Sequence, residues 1–140
     1  MDLNLEAHDT HHPIAWSLYY DDQKDESLRR SHEFRAARIP KFLEHFSSQL
    51  EANPGNRNRG GELHLVGNKT TTADLALFHV LCGVEHAFPK RMATMRKDQS
   101  YADVFKLVEQ VAVSENIATY LSSGRKTSFG MGIFRSVVHQ

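Results

Sequence analysis

The chain has 140 residues, with 17 basic and 17 acidic side chains and a formal net charge of zero, which argues against the broad cationic field that duplex nucleic-acid binders use to displace counterions. A single cysteine, Cys82, excludes an intrachain disulfide framework and a cysteine-rich zinc site, and it suits a reducing compartment. No apolar run approaches the roughly 20 residues of a membrane span, and MDLNLEAHD lacks the basic and apolar regions of a secretory leader, so one soluble, cytoplasmic domain with a single sizeable core is expected.

Strand signals are scarce and helical periodicity recurs, which predicts an all-α bundle of about five helices over residues 1–140. The first helix runs from residue 2 to about 24, with Leu3, Ala7, Ile14 and Leu18 apolar and Trp16, Tyr19 and Tyr20 aromatic. A second starts near Asp25, carries Leu28 and Phe34, and continues through Ile39, Phe42, Leu43, Phe46 and Leu50, spaced as one buried stripe. Each contains a proline. Pro13 and Pro40 remove an amide donor and crowd the carbonyl four residues back, so each helix is expected to kink or restart there.

NPGNRNRGGE, residues 53–62, has loop composition and is expected to be mobile, with Arg57 and Arg59 as solvated charges. The segment TTADLALFHVLCGVEHAFP is apolar on nearly every side and belongs in the middle of the bundle. Thr71 and Asp74 sit at capping-box spacing at its start, and Pro89 ends it. An amphipathic helix follows over 101–113 through Val104, Leu107, Val108 and Val111, then a short one in ENIATYLSS that closes at Gly124. Residues 125–140 form a tail without periodicity. Cys82, inside the most apolar helix, reads as an inert core thiol rather than a nucleophile.

HDTHHP, residues 8–13, concentrates three histidines and an aspartate. On a helix His8 shares a face with His11 and His12. Two imidazoles and Asp9 form a plausible zinc set, whereas the same side chains are also suited to cap carbonyls that Pro13 leaves free. Trp16, Tyr19 and Tyr20 are suited either to a flat apolar pocket or to ordinary packing.

The order HDTHHPIAWSLYYDDQK, RIPKFLEHF, LVGNKTTTADLALF, AFPKRMA, IATYL and FGMGIFR resembles the C-terminal helical domain of cytosolic glutathione S-transferases, in particular fungal and protist members related to the sigma class, over nearly the whole chain. Thr70 and Asn68 depart from the apolar residue and the aspartate usual ahead of the central helix, which implies a weaker helix start. The resemblance implies that His8, Asp9, His11, His12, Trp16 and Tyr20 line a cleft facing glutathione and an electrophile, and that Phe129 and Phe134, with Met131, cover it. It further implies glutathione as co-substrate and a homodimer or an association with a thioredoxin-like domain. Neither nucleic acid nor membrane is an expected partner. The catalytic group is expected on the thioredoxin-like N-terminal domain, which has no counterpart in these residues, so the isolated chain is expected to conjugate little or nothing. A role in detoxification or secondary metabolism would follow. The alternatives are a non-catalytic protein-interaction module of the same fold and, third, a metal-binding helical protein; the metal reading is not adopted.

Overall fold

The computed structural model describes residues 2–57 and 61–136. Two prolines decide how the N-terminal half is divided. α1 (Asp2–His11) stops two residues short of Pro13, because proline lacks an amide and drives the residue before it away from helical backbone. The chain then passes through a non-helical stretch, makes one 3-10 turn at Tyr20–Gln23 and enters α2 (Lys24–Glu33). The expected first helix to residue 24 is therefore a helix of half that length followed by a restart.

Pro40 acts differently, because it falls in the first turn of α3 (Ile39–Ala52), where the missing amide would have had no intrahelical partner. α2 and α3 are joined by a π-helical segment, Phe34–Arg38, in which the Ile39 amide reaches back five residues to the Phe34 carbonyl. In that register the Arg35 carbonyl would face the amide that Pro40 does not have. A guanidinium supplies the donor instead: Arg91 Nε binds the Arg35 carbonyl at 2.9 Å. Arg38, in the same segment, is paired with Glu6 of α1 through Nε and Oε2 at 2.7 Å.

α4 (Thr72–Ala87), α5 (Pro89–Met95), α6 (Ala102–Val113) and α7 (Glu115–Ser122) complete the bundle. α5 was not expected: Pro89 does stop α4, and its preset φ makes it the first residue of a further helix. Gly124, at φ 69°, takes the left-handed position that ends α7. Seven α-helices and no strand are thus found among the described residues.

α4 packs against α6, α5 and α1 and supplies Leu77, Leu81 and Val84 to a core shared with Leu43, Leu50, Leu107, Val108 and Val111. Each such side chain contributes about 1.5–3 kcal/mol by leaving water. The start of α4 is tied down by the buried Asp74, whose carboxylate accepts from the Leu65 amide at 2.8 Å, the Thr71 amide at 2.7 Å and the Thr71 hydroxyl at 3.0 Å. Asparagines organise the segment before it: Asn53 Nδ2 donates to the carbonyls of His64 and Gly67, both at 2.8 Å. Arg57 follows this turn and is exposed; Arg59 lies outside the described residues. No helix among the described residues is long and apolar enough to cross a membrane.

Candidate functional site

The last turn of α1 places its histidines on two sides. His8 and His12, four residues apart, stack at 5.1 Å between ring centroids and 15° between planes. His8 Nδ1 lies 3.1 Å from Oδ1 of the exposed Asp9. His11 turns inward and is 0 % exposed. Its ring lies nearly parallel to Phe88, 6.1 Å away, and Phe88 packs in turn on Phe34 at 5.5 Å. Neither nitrogen of His11 has a hydrogen-bond partner, and nor does His12 Nδ1. His11 therefore caps no carbonyl, whereas His12 has a hydrogen bond with the backbone of His8. The Thr10 carbonyl beside them is taken by the Ser27 hydroxyl at 2.9 Å, which docks α2 on the end of α1.

A residue that the sequence did not single out shapes the segment after Pro13. Gln23, 2 % exposed, accepts from the Ile14 amide at 3.0 Å and donates to the carbonyls of Ala15 at 2.9 Å and Leu18 at 3.2 Å. One amide side chain thus replaces the helical bonds that Pro13 prevents. Trp16 and Tyr19 project outward from this segment, each 83 % exposed. Tyr20 is half-buried and lies under the Arg135 guanidinium, 4.1 Å from its ring centroid.

Arg135 comes from the tail, which folds back over α4. Phe134, 5 % exposed, presses on Gly83, where a Cβ would come within 2.4 Å of its ring. That clash explains a glycine in the middle of an otherwise apolar helix. Phe129 packs edge to face on Phe134 at 5.3 Å and rests against His79 and His86 of α4 at 5.7 and 5.6 Å. Met131 is 64 % exposed. Of the residues expected to form a cleft, the structure gathers His8 and His12 with the covered His11 at the end of α1, and Tyr20 joins them through Arg135. Phe129 and Phe134 form an adjoining aromatic layer, whereas Trp16 stands out in solvent. Gly83 could have been read as a site of close approach; Gln23, Phe88 and Arg135 carried no local signal.

Burial is the first cause of the lowered basicity of His11, whose pKa falls from 6.5 to about 4, with the charges of Arg135, His12 and His8 adding to it. His12 is also lowered, by burial and then by His8 and Arg135. Cys82 is raised, chiefly by burial and then by Glu85, so its thiol is a poor nucleophile. Among the described residues no three His, Cys, Asp or Glu side chains come together as a metal site.

The histidine shift has a defined consequence for stability. The unfolded chain protonates this imidazole near pH 6.5 and the folded chain only near 4, so in that window the unfolded state binds more protons and acid favours unfolding. Stability should fall by up to roughly 3 kcal/mol from this residue as pH drops through the window. Urea denaturation at successive pH values checks it. The His11→Phe variant should have a flatter profile than the parent; matching profiles would remove His11 as the cause.

A family model described as "Glutathione S-transferase, C-terminal domain" matches residues 8–124. No curated protein matches the chain.

Proposed function

Because the chain belongs to the glutathione S-transferase family through its C-terminal domain, we propose that this helical domain supplies the wall of a conjugating site on which an apolar electrophile rests. The observation that supports this reading is the aromatic layer of Phe129 and Phe134 laid on α4, followed directly in the chain by Arg135, whose guanidinium covers Tyr20. Such a layer takes flat apolar groups out of water and fixes their orientation. The reaction is attack of the glutathione thiolate on an electrophilic carbon of the bound group. The sulfur forms the new bond, the leaving group departs with its electron pair, and the thiol proton goes to solvent.

Making that thiolate near neutral pH requires hydrogen bonds or positive charge at the sulfur, a role we assign to a thioredoxin-like domain. The residues of this chain would position and desolvate the electrophile. His8, Asp9, His12 and Trp16 would form the polar and aromatic rim, with His11 beneath it.

The test mixes residues 1–140 with glutathione and 1-chloro-2,4-dinitrobenzene, alone and with a separately prepared thioredoxin-like domain of the family. The chain alone should match the buffer blank, and the mixture should exceed the sum of its parts. Conjugation by the chain alone would overturn the division of labour, and a mixture no faster than its components would overturn the substrate wall. Co-elution of the two domains without any gain in rate would favour the non-catalytic interaction module.

A further inference from the structure

We propose that Ser128 is a phosphoacceptor, modified by an arginine-directed protein kinase that transfers a phosphoryl group from a nucleoside triphosphate. The site is independent of the conjugating wall.

A kinase whose substrate cleft carries carboxylates recognises a guanidinium three residues ahead of the hydroxyl it modifies, and that hydroxyl must be able to leave its own fold and enter the cleft. Two hydroxyl residues of the chain have an arginine at this spacing: Thr94 behind Arg91, and Ser128 behind Arg125. Each arginine has a lysine beside it, Lys90 in the first case and Lys126 in the second. The sequence alone does not separate the two. Their surroundings do.

Thr94 lies inside α5, and its hydroxyl donates to the Lys90 carbonyl at 3.2 Å. Its arginine is engaged elsewhere, because Arg91 Nε donates to the Arg35 carbonyl at 2.9 Å. Met92 and Met95, on either side of Thr94, are buried. Entering a cleft would therefore unwind α5, expose two core methionines and orphan the carbonyl of the π-helical segment. Thr94 is closed to a kinase.

Ser128 differs in each respect. Arg125, Lys126, Thr127 and Ser128 are exposed and lie outside any helix, just past the glycine that ends α7. Among the described residues the hydroxyls of Thr127 and Ser128 have no hydrogen-bond partner, and no backbone hydrogen bond holds residues 126–130. The Arg125 guanidinium has no carboxylate partner; it meets the Ser123 hydroxyl at 3.2 Å and the face of Tyr120 at 5.8 Å. Lys126 Nζ rests over the Phe129 ring at 5.6 Å. The stretch is anchored only at its ends, by α7 and by Phe129 against His79 and His86. It can adapt to a cleft without exposing core.

In the transfer, Ser128 Oγ attacks the γ-phosphorus and forms the new P–O bond. The bridging bond to the diphosphate breaks, the diphosphate leaves with its electron pair, and the hydroxyl proton passes to a carboxylate base of the kinase. The product adds a charge of about −1.5 to −2 near neutral pH. That charge arrives next to two cations, Arg125 and Lys126, that hold no carboxylate, and one residue away from the aromatic layer at Phe129.

The experiment incubates the full folded chain with the catalytic subunit of cyclic-AMP-dependent protein kinase, magnesium and ATP, and maps the phosphate by fragmentation mass spectrometry. One phosphate per chain should appear, on Ser128. Ser128→Ala should lose it, and Arg125→Gln should slow its incorporation by about tenfold or more while circular dichroism shows the helices retained. Three results overturn the proposal: no incorporation above a blank without kinase, phosphate carried chiefly on Thr94 or Thr127, or an undiminished rate in Arg125→Gln. None of these readouts involves glutathione or a second domain, so the outcome and that of the conjugation assay stand apart.

Discussion

Replacing Phe88 with alanine is expected to destabilise the protein by about 3–5 kcal/mol, the range for emptying a fully buried aromatic site. Phe88 is 0 % exposed, and its ring is held between His11 and Phe34. It lies at the junction of α4 and α5, so relaxation that filled the cavity would have to move both helices. The measurement is urea unfolding followed by circular dichroism, with Phe88→Leu as the milder comparison. A second readout follows from the site above it. With the phenyl group gone, water reaches His11, the desolvation that holds its pKa near 4 is relieved, and its midpoint should climb toward 6.5. A loss under about 1.5 kcal/mol, well below the cost of such cavities, would show that Phe88 does not support the core in this way.

Asp74→Ala should cost a comparable amount, about 3–5 kcal/mol, by a different mechanism. The carboxylate is 0 % exposed and accepts from two amides and a hydroxyl. Removing it orphans buried donors, each costing about 1–3 kcal/mol, and frees both the start of α4 and the segment at Leu65. Asp74→Asn keeps one oxygen as an acceptor and should lose roughly half as much. Thr71→Ala, which deletes only the capping hydroxyl, should cost about 1 kcal/mol. Equal stability of the Asp74→Ala and Thr71→Ala proteins would mean that the bonds to the Leu65 and Thr71 amides contribute nothing.

The two variants divide along a line that runs through the whole molecule. Asp74 is legible because a capping box is a local device: Thr71 and its partner three residues on meet whenever a helix starts there. The all-apolar pattern of α4, the stripe from Ile39 to Leu50 and the stop at Gly124 are local in the same sense, and so the helical class and the central position of α4 could be read from residue spacing. The prolines were half legible. Pro13 and Pro40 both announced a break, but whether the chain restarts through a turn or slips into π register depends on which groups arrive to satisfy the freed carbonyls and amides. Gln23 does this for Pro13, and Arg91 for Pro40. α5 was missed because Pro89 serves as a terminator for one helix and a first residue for the next.

The candidate site was less legible. HDTHHP displayed its histidines, but their periodicity placed His8, His11 and His12 together without saying that His11 faces Phe88 and the core while the other two stack outside. Trp16 and Tyr20 looked alike in the sequence, yet Gln23 turns the chain between them so that Trp16 is 83 % exposed and Tyr20 lies under Arg135.

By itself, the sequence determined the helical class, the central apolar helix and its capped start, because these depend on hydrogen bonds and side-chain spacing within a few residues. Only the tertiary structure decided which histidine is buried and that the tail brings Arg135 beside it. That juxtaposition spans more than a hundred residues and turns on the fit of Phe134 against Gly83, a matter of shape across the fold that no local pattern encodes.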